Sequence, residues 1–120
     1  MKFAESADKL NRLVIDDVRD FGPDFDYARN LTQAGKMLAA HHWDQVWLDN
    51  DLDFDEEVLE LVKELEKMWH EDHLTVDVDL FVIHTGNPVA RRNMVEAFNR
   101  MPYMYVEAHP RSRRVYGGRL

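Results

Sequence analysis

Short apolar runs alternate with amphipathic stretches along this chain, and most of the runs end in groups capable of chemistry. Arg12-Leu13-Val14-Ile15 is apolar and opens directly onto Asp16-Asp17, as expected of a buried strand meeting a polar site. Phe21-Gly22-Pro23-Asp24 marks a loop. Tyr27 to Leu31 predicts a second short strand, and Thr32 is positioned to cap a helix whose apolar face holds Ala34, Met37, Leu38 and His41, with Gly35 weakening it. Gln45-Val46-Trp47-Leu48 predicts the next strand, which ends in Asp49-Asn50-Asp51-Leu52-Asp53. From Asp55 to about Asp72, the residues Val58, Leu61, Val62, Leu65, Met68 and Trp69 recur at helical spacing behind an acidic start that suits a helix N-terminus.

Leu80-Phe81-Val82-Ile83 is continuously apolar, which predicts a strand buried on both faces, and it leads into His84-Thr85-Gly86-Asn87-Pro88. Asn87 reads as a cap with Pro88 in the first turn of a helix running to about Arg100, with Met94, Val95 and Phe98 inward. Tyr103 to Glu107 predicts a last strand before Ala108-His109-Pro110. The resulting order of β, β, α, β, α, β, α, β implies right-handed parallel crossovers and an α/β sheet that presents ligands at the carboxyl ends of its strands.

Four strand exits therefore share one edge: Asp16-Asp17, Asp49-Asn50-Asp51, His84-Thr85 and His109. Several carboxylates at one edge repel unless a cation neutralises them, and ligation by carboxylate and carbonyl oxygens suits Mg2+ or Mn2+. Asp16, Asp17, Asp49 and Asp51 are the expected metal ligands. Asp49, Asp51, Asp53, Asp55 and Glu60 also have the spacing of an EF-hand loop, but Phe54 stands where a glycine is needed and a strand, not a helix, precedes the loop. His41-His42 and His70 with His73 invite a zinc reading. His70 and His73 fall at a helix end with no third ligand in reach, and zinc is not expected.

This ordered set resembles the phosphoacceptor receiver fold of response regulators over roughly residues 12 to 110. Asp-Asp, Asp-x-Asp-Leu and His-Ser/Thr-x-Asn together, here Asp16-Asp17, Asp49-Asn50-Asp51-Leu52 and His84-Thr85-Gly86-Asn87, resemble more closely the receiver-like family described as cyclic-phosphate-processing. The resemblance implies a three-layer, flavodoxin-like domain with a mainly parallel five-stranded sheet. It implies a metal held by Asp16 and Asp17, a phosphoacceptor position at Asp49, a phosphoryl-binding hydroxyl at Thr85, and His109 in the place of the receiver lysine. Histidine holds a positive charge at neutral pH less firmly than lysine, which argues against ordinary phosphorylation signalling. The segment Val18 to Asp26 is also too short for the usual first crossover.

Two functions fit these residues. In one, a metal-dependent enzyme acts on cyclic or terminal phosphates, with Asp49, His84, Thr85 and His109 catalytic, on a phosphate-containing small molecule or an RNA end. In the other, the scaffold is a non-catalytic adaptor for a protein partner. Composition narrows the setting. At 120 residues the chain suits one domain, residues 1–110, followed by a basic, flexible tail over 111–120 carrying Arg111, Arg113, Arg114 and Arg119. The net charge of −8 argues against general nucleic-acid binding. No apolar run is long enough to cross a bilayer, no signal peptide is visible, and the absence of cysteine excludes thiol nucleophiles and disulfides, so a cytoplasmic accessory protein, such as a phage encodes, is the expectation.

Overall fold

A computed structural model describes residues 10–16, 22–49, 57–72 and 76–108, together with the backbone of 115–116. Its elements are β1 (Arg12–Ile15), β2 (Asp26–Ala28), α1 (Leu31–Ala40), β3 (Trp43–Leu48), α2 (Val58–His70), β4 (Val78–Ile83), α3 (Pro88–Asn99), β5 (Met104–Ala108) and β6 (Val115–Tyr116). Five strands pair in parallel in the order β2-β1-β3-β4-β5, and β6 adds to the far edge antiparallel to β5. The first two strands pair although too few residues separate them for the usual helix and crossover, as their spacing predicted. Val115 and Tyr116 lie inside the stretch read from the sequence as a tail, and they pair with Ala108 and Glu107.

Alternation along the strands sends Leu13, Ile15, Val46, Leu48, Phe81 and Ile83 into the main core, where Ala34 and Leu38 of α1, Val58, Val62 and Leu65 of α2, and Met94 and Phe98 of α3 meet them. On the other face Val82, Val106 and Ala108 form a smaller buried cluster with Trp47 and Leu80 packed against it. β4 is accordingly buried on both faces through Phe81, Val82 and Ile83, matching its unbroken apolar run.

The helix starts show why local chemistry sets boundaries. α1 begins one residue after Asn30, whose side chain accepts the Gln33 N–H at 2.9 Å, so Asn30 and not Thr32 is the cap. The predicted second strand stops early for the same reason, because its last residues are used to start the helix. α3 starts as its sequence requires: Asn87 Oδ1 accepts the N–H groups of Val89 and Ala90, both at 3.1 Å, with Pro88 at the first position. In α1, Met37 is half-buried and His41 lies beyond the helix, its ring 4.3 Å from that of Trp43. In α2, Trp69 is the exposed end of the predicted apolar stripe, while Leu59 is buried. The strand before Asp49 removes the entering helix that an EF-hand needs.

Candidate functional site

The parallel ladder continues one residue past each central strand, and this draws the candidate residues together. The Asp16 N–H donates to the Ala28 carbonyl at 3.1 Å, the Asp49 N–H to the Ile15 carbonyl at 3.2 Å, and the His84 N–H to the Leu48 carbonyl at 2.8 Å. With Ile15 opposite Leu48 and Leu48 opposite Ile83, Asp16, Asp49 and His84 stand level on three adjacent strands, about 4.8 Å from one to the next. Ile15, Leu48 and Ile83 point into the main core, so alternation turns the three following residues to the opposite face. The His84 ring lies there, 5.5 Å from that of Trp47. Asp16 is buried, whereas Asp49 and His84 are part-exposed.

Thr85 is one residue further on and wholly buried. Its hydroxyl oxygen accepts the Asn87 N–H at 3.1 Å, which braces the turn that feeds α3 and leaves the hydroxyl proton available to donate elsewhere. The residue that shares a level with Asp16 and Asp49 is therefore His84, while Thr85 orders the turn behind it. Asp17, Asp51 and His109 lie outside the described residues.

Two cations reach this edge that the sequence pattern did not single out. Arg29, just after β2, donates from Nη1 to the Asp16 carbonyl at 2.9 Å, and its guanidinium lies over the Tyr27 ring at 4.6 Å. Arg91, in the first turns of α3, donates from Nη1 to the Thr85 carbonyl at 3.0 Å, and its Nε lies 3.7 Å from the Glu107 carboxylate. Neither belongs to a motif, and only the meeting of β2, β4, β5 and α3 identifies them. They place positive charge beside an acidic edge, where it offsets carboxylate repulsion and favours an anion.

The donors at this edge are hard oxygens on adjacent strands, one of them buried, and that set suits a small divalent cation such as Mg2+. A separate group, His42, Asp44 and Asp79, also able to hold a metal ion, lies at the other end of β3 and β4. No helix of the described residues is long and apolar enough to cross a membrane.

No curated protein matches the chain. The sequence profile of the cyclic-phosphate processing receiver domain family matches residues 11–100, which contain β1 to β4 and the three helices of the described residues. With a match over more than half of its length and the receiver strand order in its sheet, the chain belongs to the cyclic-phosphate processing receiver domain family.

Proposed function

We propose that the carboxyl edge of the sheet is a divalent-metal and phosphate site that processes cyclic or terminal phosphates, on a small molecule or an RNA end. The observation that carries this is the level placement of Asp16, Asp49 and His84 on β1, β3 and β4. Asp16 and Asp49, with Asp17 and Asp51 beside them in sequence, would hold Mg2+ or Mn2+; such an ion, when bound, polarises a phosphoryl oxygen and offsets its charge. Among the described residues His84 carries the titratable nitrogen level with the two acids, so it is the group we assign to move a proton. In opening a cyclic phosphate, the oxygen of water bonds to phosphorus, one ring P–O bond breaks, the freed oxygen takes a proton that His84 supplies, and the proton released by the attacking water restores the imidazole, so no net proton is consumed. Thr85 orients the turn and offers its hydroxyl proton to a phosphoryl oxygen, His109 serves as the second orienting group, and Arg29 and Arg91 add positive charge.

The test is direct. The protein is incubated with a 2′,3′-cyclic nucleotide, and separately with an oligonucleotide bearing a terminal phosphate, in Mg2+ or Mn2+, and the phosphorus signal is followed by NMR. Turnover by the native chain that Asp49→Ala abolishes supports the reading. Turnover that survives this change places the chemistry elsewhere, and its absence from the native chain in both metals leaves a partner-binding adaptor as the better account.

A further inference from the structure

At the amino end of the sheet, opposite the site just described, the register of β3 with β4 creates an electrostatic problem. Trp43 pairs with Val78 and Gln45 with Leu80, so Asp44 and Asp79 stand directly opposite each other. Two carboxylates so placed repel. His42, immediately before β3, fills the space between them: its Nε2 lies 3.2 Å from Asp79 Oδ2 and 3.5 Å from Asp44 Oδ1, while its Nδ1 lies 3.1 Å from Asp77 Oδ2.

The imidazole gives this cluster a chemistry that the acids alone lack. A ring whose Nδ1–H is held by a carboxylate presents a lone pair at Nε2, and that carboxylate–histidine pairing is the usual outer support of a histidine that binds metal. Here Nε2 faces the two other carboxylates, and one donor atom each from His42, Asp44 and Asp79 falls within 4.8 Å of the others, so a cation that displaces the ring proton would meet all three. Asp44 is oriented as well, since its second oxygen accepts the Asn11 N–H at 2.7 Å. The backbone beneath is tied by Trp43 N–H to the Asp77 carbonyl at 2.9 Å and Asp44 N–H to the Asn11 carbonyl at 2.8 Å. The donors thus come from the starts of two paired strands whose spacing the sheet holds constant.

We propose that His42, Asp44 and Asp79 form a second metal site, for a first-row transition ion of the Zn2+ type, with Asp77 orienting the imidazole. One nitrogen and two carboxylate oxygens with a remaining open position match zinc, and the nitrogen donor favours such ions over Mg2+. The site joins the starts of β3 and β4 and lies about 20 Å from Asp49, the length of β3 at 3.3 Å per residue. It is independent of the phosphate chemistry at the other edge. Sequence spacing does not group His42 with Asp79, which lies far along the chain and arrives only through strand pairing.

The experiment titrates the full chain with Zn2+, and with Co2+ as a visible probe, by calorimetry and by NMR of the histidine ring nitrogens. The expected result is one equivalent bound, a shift of the His42 Nε2 resonance, retention of this binding in Asp49→Ala, and its loss in His42→Gln. Asp79→Asn should also lose it; that side chain is 63% exposed and its neutralisation relieves repulsion, so the variant stays folded. Asp77→Asn should weaken binding about tenfold, as loss of an outer-sphere partner does. Zn2+ binding that is unchanged in His42→Gln and Asp79→Asn, or no shift of His42 at excess Zn2+, overturns the proposal and identifies the cluster as an ion pair of a protonated His42 with its acids.

Discussion

Asn87 offers a sharp separation between a structural and a ligand-binding role at the candidate site. Its side-chain oxygen caps α3 by accepting from Val89 and Ala90, and its own N–H donates to Thr85 Oγ1. Asn87→Ala deletes the two cap bonds but keeps the N–H, so the bond to Thr85 survives and the change isolates the cap. Removing a cap of this kind costs about 1 kcal/mol, and the two acceptor bonds place this one toward the upper end, about 1–2 kcal/mol. For a domain of this size that corresponds to roughly 3–10 °C in Tm. Asn87→Asp keeps an acceptor at the same place and adds a negative charge at a helix N-terminus, which the helix dipole favours. Stability should therefore fall for alanine and hold for aspartate. The assay is urea denaturation followed by far-UV circular dichroism, with the midpoint read at unchanged slope. Phosphate affinity should move the other way: aspartate, by crowding an already acidic edge, should weaken binding of inorganic phosphate more than alanine does. An alanine variant within about 0.3 kcal/mol of the native chain would refute the capping argument, since it lies below the smallest cost of a lost cap.

Two further outcomes follow from the packing and the ion pairs. Phe98 is buried on α3, with its ring 4.7 Å from Phe81 and 5.9 Å from Tyr105, so Phe98→Ala should cost about 3–5 kcal/mol and lower the urea midpoint sharply; a loss below about 1 kcal/mol would mean that α3 is not anchored there. Glu66 on α2 pairs with Arg100 just after α3, and the guanidinium holds its carboxyl below the ordinary glutamate value. A lowered folded-state pKa means that the unfolded chain binds the proton first, so this contribution is complete above the ordinary glutamate value and is lost as pH falls through the folded one. Glu66→Gln should flatten that part of the acid-unfolding curve, measured by urea midpoints from pH 6 to pH 3, and an unchanged curve would show that the pair does not stabilise the fold.

The local pattern carried most of the elements because each depends on neighbours in sequence. An unbroken apolar run predicted β4, helical spacing predicted α2, and Asn87-Pro88 marked the start of α3, where the structure has it. The acids after β1 and β3 and the histidine after β4 were legible for the same reason, since parallel strands bring their carboxyl ends to one edge. Local competition explains the misses: Asn30 and Thr32 are both good caps, and Asn30 prevails because its side chain reaches the Gln33 N–H from an extended backbone.

What the sequence could not decide was register. A shift of one residue between neighbouring strands would exchange the two faces of the sheet, and only the packed core selects among such shifts. That choice sets His84 level with Asp16 and Asp49, and leaves Thr85 buried behind it. It also brings Arg29 to the Asp16 carbonyl and Arg91 to that of Thr85. The same pairing of β3 with β4 closes His42, Asp44 and Asp79 into one cluster at the opposite edge. Residue types and the order of elements are properties of the chain read locally, whereas the convergence of distant side chains comes from burying apolar faces against one another, which fixes every strand relative to its neighbour.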